Sequence, residues 1–369
     1  MTKDPINVWS YLEQYSEEED EIIQIVKDVF RSGKLILGEN VSMFEKEFSL
    51  YVESKYGVGV GNGTDAIELA LKATGIKDGD EVITVSNTAV PTVSAIVATG
   101  GKPVFCDIDE ETYNISIKNV QEMITKKTKA IVCVHLYGHP AEITELKKIC
   151  NKENIILIED CAQSHGAKID NKTCGSFGDI SAFSFYPTKI LGTLGDGGMC
   201  VTSDDAYYKK LKMLRFYGME DQYFSLIDGV NSRLDEVHAA ILRYKLKNIN
   251  NEINRRREIA KIYNEGLVDT DLVLPIEKEN SFHAYYLYVV RHPKRDKILE
   301  DLKEMNINLN ISYPWPIHTM PPFENYKKGS MTKTESVAKE IFSLPMYPAL
   351  TDNKVEQVIE SLRKTLSLN

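Results

Sequence analysis

Apolar residues recur every three to four positions in DEIIQIVKDVF and VSMFEKEFSLYV, which predicts two helices separated by the loop RSGKLILGEN. From residue 55 the pattern changes. Short β-branched runs (YGVGV, EVITV, KPVFC, KAIVCV, NIILIE) alternate with amphipathic stretches (DAIELALKATG, PTVSAIVATG, IKNVQEMI, AEITELKKIC). That alternation predicts βα crossovers and a mostly parallel sheet buried on both faces, and therefore a three-layer α/β/α sandwich. ISAFSFY and GGMCVT read as further strands, followed by a helix over DAYYKKLKMLRFYG. One long charged helix is expected from Asp235 through NINNEINRRREIAKIYNEG, its length suited to a connector between domains. Beyond it come a strand (AYYLYVV), a helix (KRDKILEDLKEM), a Pro-rich loop (SYPWPIHTMPPFE) and a final helix (NKVEQVIESLRKTL). The expected division is a large domain over 1–245, with an N-terminal helical segment, and a smaller C-terminal α+β domain over 246–369. Neither an internal repeat nor a low-complexity linker interrupts it.

Composition narrows the function classes. The 369 residues are 43% hydrophobic and 27% charged, which excludes collagen-like, disordered and disulfide-stapled proteins. A net charge of −10 argues against bulk nucleic-acid binding, which needs clustered Lys and Arg. The six cysteines form no CxxC pair and no Cys/His cluster at zinc spacing, so free thiols in a reducing cytosol and no metal site are expected. The acidic start MTKDPINVWSYLEQYSEEEDE lacks the order of a signal peptide, and no run approaches eighteen apolar residues. A cytoplasmic protein without membrane contact is the expectation.

Two segments carry chemistry. GVGVGNGTDAIELAL passes from a strand through glycines into a helix, but Gly57, Gly59, Gly61 and Gly63 do not fit GxGxxG because position 62 is Asn62. What remains is a helix N-terminus suited to an anion, with the Thr64 hydroxyl as an added donor; a tight turn with Thr64 or Asp65 as a plain N-cap is the ordinary alternative. The second segment is GDISAFSFYPTKILGTLGDGGMCVTSD. Its Lys189 has apolar, hydroxylic and Gly neighbours where lysines normally sit on charged faces. Desolvation there favours the neutral amine that attacks carbonyls, against the plainer reading of a lysine snorkelling out of a turn.

Upstream, NIILIEDCAQSHGA ends an apolar strand in Glu159-Asp160, at the carboxyl edge of the predicted sheet. A carboxylate facing a pyridinium nitrogen and a lysine at an aldehyde are the two protein groups that pyridoxal 5'-phosphate (PLP) requires. Asp160 would hold the ring nitrogen protonated. Gln163 is then a candidate donor to the phenolic oxygen, and Ser184 adds a hydroxyl beside Thr64 for the phosphate.

At these residues the chain resembles the DegT/DnrJ-type sugar aminotransferases, a fold-type I PLP family acting on nucleotide-linked ketosugars. The likeness runs through SGKLILGENVSMFEKEF, VGVGNGTDAIELAL, GDEVITV, AIVCVHLYGHPAEI, IEDCAQSHGA, FSFYPTKILGTLGDGG, NSRLDEVHAAIL, YPWPIHTMPPF and FSLPMYPAL. It implies a Schiff-base lysine at Lys189, a pyridine partner in Asp160, and phosphate contacts from Gly63, Thr64 and Ser184. It also implies a homodimer in which Asn231 reaches the phosphate of the neighbouring subunit's cofactor. Tyr186 and His318 match positions near the sugar in relatives acting at carbon 3 of the hexose. NTAVPTVSAI and LRFYG fit that subgroup better than the carbon-4 enzymes.

Several positions depart from the pattern: Ala89 stands where many relatives stack an aromatic on the cofactor, Ile190 follows the lysine, His139 and His238 replace frequent Gln, and Ser312 replaces a frequent His. The implied reaction is ping-pong transamination from L-glutamate to a dTDP-3-keto-6-deoxyhexose, on a route to O-antigen or another surface polysaccharide. The alternatives are a 4-keto substrate, the dehydratase branch lacking the lysine, a nicotinamide-dependent sugar oxidoreductase, and a non-catalytic regulator. Arg31, Lys34 and Arg215 are local cations for a diphosphate, with a plainer reading as surface charges.

Overall fold

A computed structural model of the chain describes residues 5–221 and 223–368. Its centre is a seven-stranded sheet in the order Tyr56–Val60, Gly198–Thr202, Ile180–Ser184, Ile156–Asp160, Thr128–Val134, Glu81–Val85, Lys102–Cys106. Gly198–Thr202 is antiparallel to both its neighbours, while the other pairings are parallel, so the mostly parallel sheet expected from the sequence is present.

Period-two alternation explains why both faces are covered. Ala130 and Val132 join a core with Leu69, Ala70 and Leu71 of helix Gly63–Thr74 and with Leu211 of helix Asp205–Leu214. Ile131 and Cys133, one residue out of phase, point into the opposite core with Ile143, Leu146 and Cys150 of helix Ile143–Glu153. Phe44 and Phe48 of helix Glu39–Tyr51 close that second side against Phe183, Phe185 and Met199. The result is the three-layer α/β/α sandwich.

The expected long connector is two helices, Glu236–Leu246 and Ile249–Leu267. At the join Lys247 and Asn248 donate to carbonyls three residues back, those of Tyr244 and Lys245. The two halves pack on different partners: Leu242 lies in the core with Phe44 and Phe48, whereas Ile259 and Tyr263 lie with Val355, Val358 and Leu362. Neither Gly nor Pro marks this break, so hydrophobic periodicity alone reads straight through it.

The C-terminal part builds a separate core from Tyr288, Val290, Ile298, Leu302, Phe342 and Leu362. Its strand Tyr288–Arg291 pairs antiparallel with Ile341–Leu344, a strand the sequence pattern did not reveal. Dividing the chain at 245/246 is our proposal; Ile249, Ile253, Ala284 and Tyr286 beyond that point pack with Phe44 and Phe48, and Val289, Val337 and Ile341 pack with Ile131 and Cys133. The N-terminal strand Ile6–Asn7 nevertheless pairs with Ile307–Asn308, and Ile6 packs in the C-terminal core. Among the described residues no helix is long and apolar enough to cross a membrane.

Candidate active site

Asp160 ends its strand opposite Ala182 of the neighbouring parallel strand, which puts it at the carboxyl edge. It is 4% exposed. The Thr92 hydroxyl donates to its Oδ2 at 2.8 Å, and the Ala162 N–H to its Oδ1 at 3.1 Å. Burial raises its pKa above the ordinary carboxylate value, and Thr92, the Ala162 N–H and the nearby Lys189 charge counter part of that rise.

Two residues beyond Ala182, Ser184 closes the adjacent strand. The chain then turns sharply: the Lys189 N–H donates to the Tyr186 carbonyl at 2.8 Å across a turn with Pro187 second, where a fixed φ suits the bend. The Thr193 N–H returns to the Phe185 carbonyl at 2.9 Å, closing the loop round the lysine. Lys189 is half-buried, and its Nζ lies 3.4 Å from the Tyr286 hydroxyl and 4.6 Å from the centre of that ring. The same hydroxyl lies 3.0 Å from Thr188 Oγ1. Lys189 also opens onto a cavity of about 720 Å³ shared with Trp9, Tyr11, Thr193, Arg256 and Tyr347. Asp160, Gln163 and Ser184 are not on that cavity's wall.

The glycine segment corrects one expectation. Neither Thr64 nor Asp65 caps the helix; Asn62 does, with its Oδ1 accepting from the Asp65 N–H at 2.9 Å. The Thr64 hydroxyl is therefore not used as the cap. Gly63 opens the helix directly over Ser184: a Cβ at Gly63 would lie 2.6 Å from Ser184 Cβ and 3.1 Å from its Oγ. Of the three residues expected to hold an anion, Gly63 and Ser184 are thus brought into contact, with no room for a side chain at 63, and Thr64 follows Gly63 in the first turn of the helix.

Gln163 is tied on both sides, its Oε1 accepting from the Tyr137 N–H at 2.8 Å and its Nε2 donating to the Tyr313 hydroxyl at 2.6 Å. The Tyr137 and Tyr313 rings stack 6.3 Å apart. Tyr137, Tyr286, Tyr313 and Thr92 all belong to the site, and sequence reasoning assigned none of them. The only local signal was the run of three tyrosines in AYYLYVV, which covers Tyr286 and none of the others.

The remaining expected site residues stand differently. Tyr186 is 51% exposed beside the lysine turn. Asn231 is exposed and bridges to Phe216, next to Ser232, whose Oγ accepts from the Gly61 N–H and donates to Asp65. His318 is buried, with Nδ1 2.7 Å from Ser86 Oγ and Nε2 2.9 Å from Glu335 Oε1. Both ring nitrogens are engaged, so the geometry gives His318 a part in holding the Pro-rich loop to the sheet edge and brings it into no contact with Lys189 or Asp160. Arg215 is not a surface cation: it is buried against Glu45 and the Gly59 carbonyl.

Beneath Asp160, His135, Glu159 and Cys161 form a tight group that could suggest a metal site. Their bonding says otherwise. Glu159 accepts from the N–H groups of Gly175, Phe177 and Gly178, from Ser181 Oγ and from His135 Nε2, while His135 Nδ1 accepts from Ala141. Burial pushes the Cys161 thiol well up. These lone pairs already serve the loop after the strand. All six cysteines are free and buried.

A buried carboxylate at the sheet edge, a lysine on the loop after the neighbouring strand and a helix start packed on Ser184 fit the donor set for PLP. Fold and site together define a PLP-dependent aminotransferase of fold-type I. Residues 16–363 match the DegT/DnrJ/EryC1/StrS aminotransferase family, and the chain belongs to that family. It is 47% identical, over 98% of both chains, to a dTDP-3-amino-3,4,6-trideoxy-alpha-D-glucose transaminase of Micromonospora megalomicea. It is 42% identical to a dTDP-3-amino-3,6-dideoxy-alpha-D-galactopyranose transaminase of Aneurinibacillus thermoaerophilus, covering 93% of this chain and 95% of that one. The structure superposes on S. venezuelae DesV in complex with a ketimine intermediate with a TM-score of 0.96, 36% identity and 98% coverage of each.

Proposed function

We propose that the protein transfers an amino group from L-glutamate to a dTDP-linked 3-keto-6-deoxyhexose, giving a dTDP-3-amino-3,6-dideoxyhexose. The reading is carried by Lys189 and Asp160 together, on neighbouring segments of one sheet edge, in a chain whose relatives are named for 3-amino sugars. Bound PLP supplies an aldehyde and an electron-accepting ring. Lys189 would hold the cofactor through its aldehyde, and its amine, when free, would carry the proton to and from the donor's α-carbon. Asp160, its carboxylate fixed by Thr92 and Ala162, would hold the ring nitrogen's proton. Gln163 is pinned by Tyr137 and Tyr313, and its second amide proton would be the one left for the ring's phenolic oxygen. Gly63, Thr64 and Ser184 bind the phosphate.

We infer a homodimer with shared sites. Phe30, Leu35, Ile36 and Tyr186 are large and exposed, the kind of side chains a second subunit would cover, and that subunit's Asn231 would then contribute to the phosphate site. Tyr186 then faces the sugar, and His318 shapes the loop over it. We place the reaction in the cytoplasm, before transfer of the sugar to an O-antigen or other surface polysaccharide.

The substrate is tested by giving the holoenzyme L-glutamate with a 3-keto and, separately, a 4-keto dTDP-6-deoxyhexose, and locating nitrogen in each product by NMR. An amine at carbon 3 from the first substrate alone is expected. An amine formed only at carbon 4 would replace this reading with the carbon-4 one.

A further inference from the structure

We propose that Thr92, oriented by Thr88, is a positioning residue that keeps the Asp160 carboxylate ionised and aimed at the cofactor ring. This rests on the reading of Asp160 as the ring-nitrogen partner. The first turn of helix Val90–Ala98 brings Thr92 to the end of the Asp160 strand, across 68 residues of sequence.

Direction follows from counting protons. A threonine hydroxyl has one proton and two lone pairs. Thr88 Oγ1 lies 3.1 Å from Thr92 Oγ1, and Thr92 Oγ1 lies 2.8 Å from Asp160 Oδ2. When Thr88 donates to Thr92, the Thr92 proton is left for the carboxylate, which accepts it best when ionised. Both threonines are buried, at 2% and 1% exposure, so water does not compete for these bonds.

Asp160 needs this help. It is surrounded by groups that titrate or carry charge: Lys189, His135, Tyr313, the buried thiols of Cys133 and Cys161, and Glu159 next in the chain. Of these, Lys189 and His135 favour the ionised carboxylate, and the Lys189 amine would be engaged elsewhere while it held the cofactor aldehyde. The hydroxyl donor persists throughout the cycle. Without it, the proton shared between carboxylate and ring nitrogen moves toward the carboxylate.

The test uses holoprotein loaded with PLP labelled with ¹⁵N in the ring, comparing wild type, Thr92→Val, Thr92→Ser and Thr88→Val. Wild type and Thr92→Ser should show a protonated ring nitrogen. Thr92→Val should shift the resonance toward the unprotonated position and raise the cofactor dissociation constant about tenfold, the range expected for a hydrogen bond to a charged group. Thr88→Val should move the resonance the same way by a smaller amount. A purely structural threonine would change melting temperature and leave the resonance in place, and an unmoved resonance in both valine variants overturns the proposal. Wild-type protein that binds no labelled cofactor, or holds it with an unprotonated ring nitrogen, overturns the Asp160 reading first and this inference with it.

Discussion

Replacing Lys189 by Ala is expected to lower turnover by about four orders of magnitude, because one group supplies both the nucleophile and the proton shuttle. Cofactor binding should survive. Gly63, Thr64 and Ser184 lie on backbone and side chains that Lys189 does not support, and Asp160 keeps its bonds to Thr92 and Ala162. Equilibrium dialysis with PLP should therefore show a noncovalent complex, while steady-state assays show almost no product. Retained turnover would remove Lys189 from the mechanism. A truncation here leaves little structural damage to confuse the result, since the side chain is half-buried and meets mainly the Tyr286 ring and hydroxyl.

Asp160→Asn is the next largest expected effect, about a thousandfold loss in kcat with the cofactor still bound. The amide fills the same volume but carries no charge. Its NH₂ would meet the Thr92 hydroxyl or the Ala162 N–H, two donors already aimed at the position. The ring nitrogen then lacks a partner that keeps it protonated, and the ring accepts electrons poorly. Stopped-flow absorbance of the glutamate half-reaction separates this from a binding defect: the slow step should be conversion of bound donor, with donor affinity little changed. A wild-type rate in that half-reaction would mean that Asp160 is a strand-end residue only.

The parts of this molecule that the sequence revealed share a physical origin. Strands and helices of the sandwich were legible because each buries a face, and burial imposes a period on apolar residues. Lys189 and Asp160 were legible because their chemical type is out of place: a cation among apolar neighbours and a carboxylate ending an apolar strand. Gly63 was visible as one of a run, though its reason, the approach of Ser184, is a tertiary fact.

What stayed hidden depends on contacts between distant segments. Thr92 reaches Asp160 across 68 residues and Gln163 reaches Tyr313 across 150, and nothing local distinguishes these hydroxyls from surface ones. Asn62 took the cap from Thr64 because any of several polar residues near a helix start can fill it, and backbone geometry decides. Arg215 looked available for a diphosphate, yet it is buried and paired with the half-buried Glu45. His318 carries the right chemistry, but Ser86 and Glu335 use both its nitrogens. Chemical type locates candidates, and packing decides which of them are free to act.

Reduction of the holoprotein with borohydride, followed by digestion and mass mapping of the lysine peptides, addresses the central assignment most directly. The account predicts a phosphopyridoxyl mass on the peptide containing Lys189 and on no other. Label on a different lysine, or protein that takes up PLP and yields no labelled peptide, would contradict it.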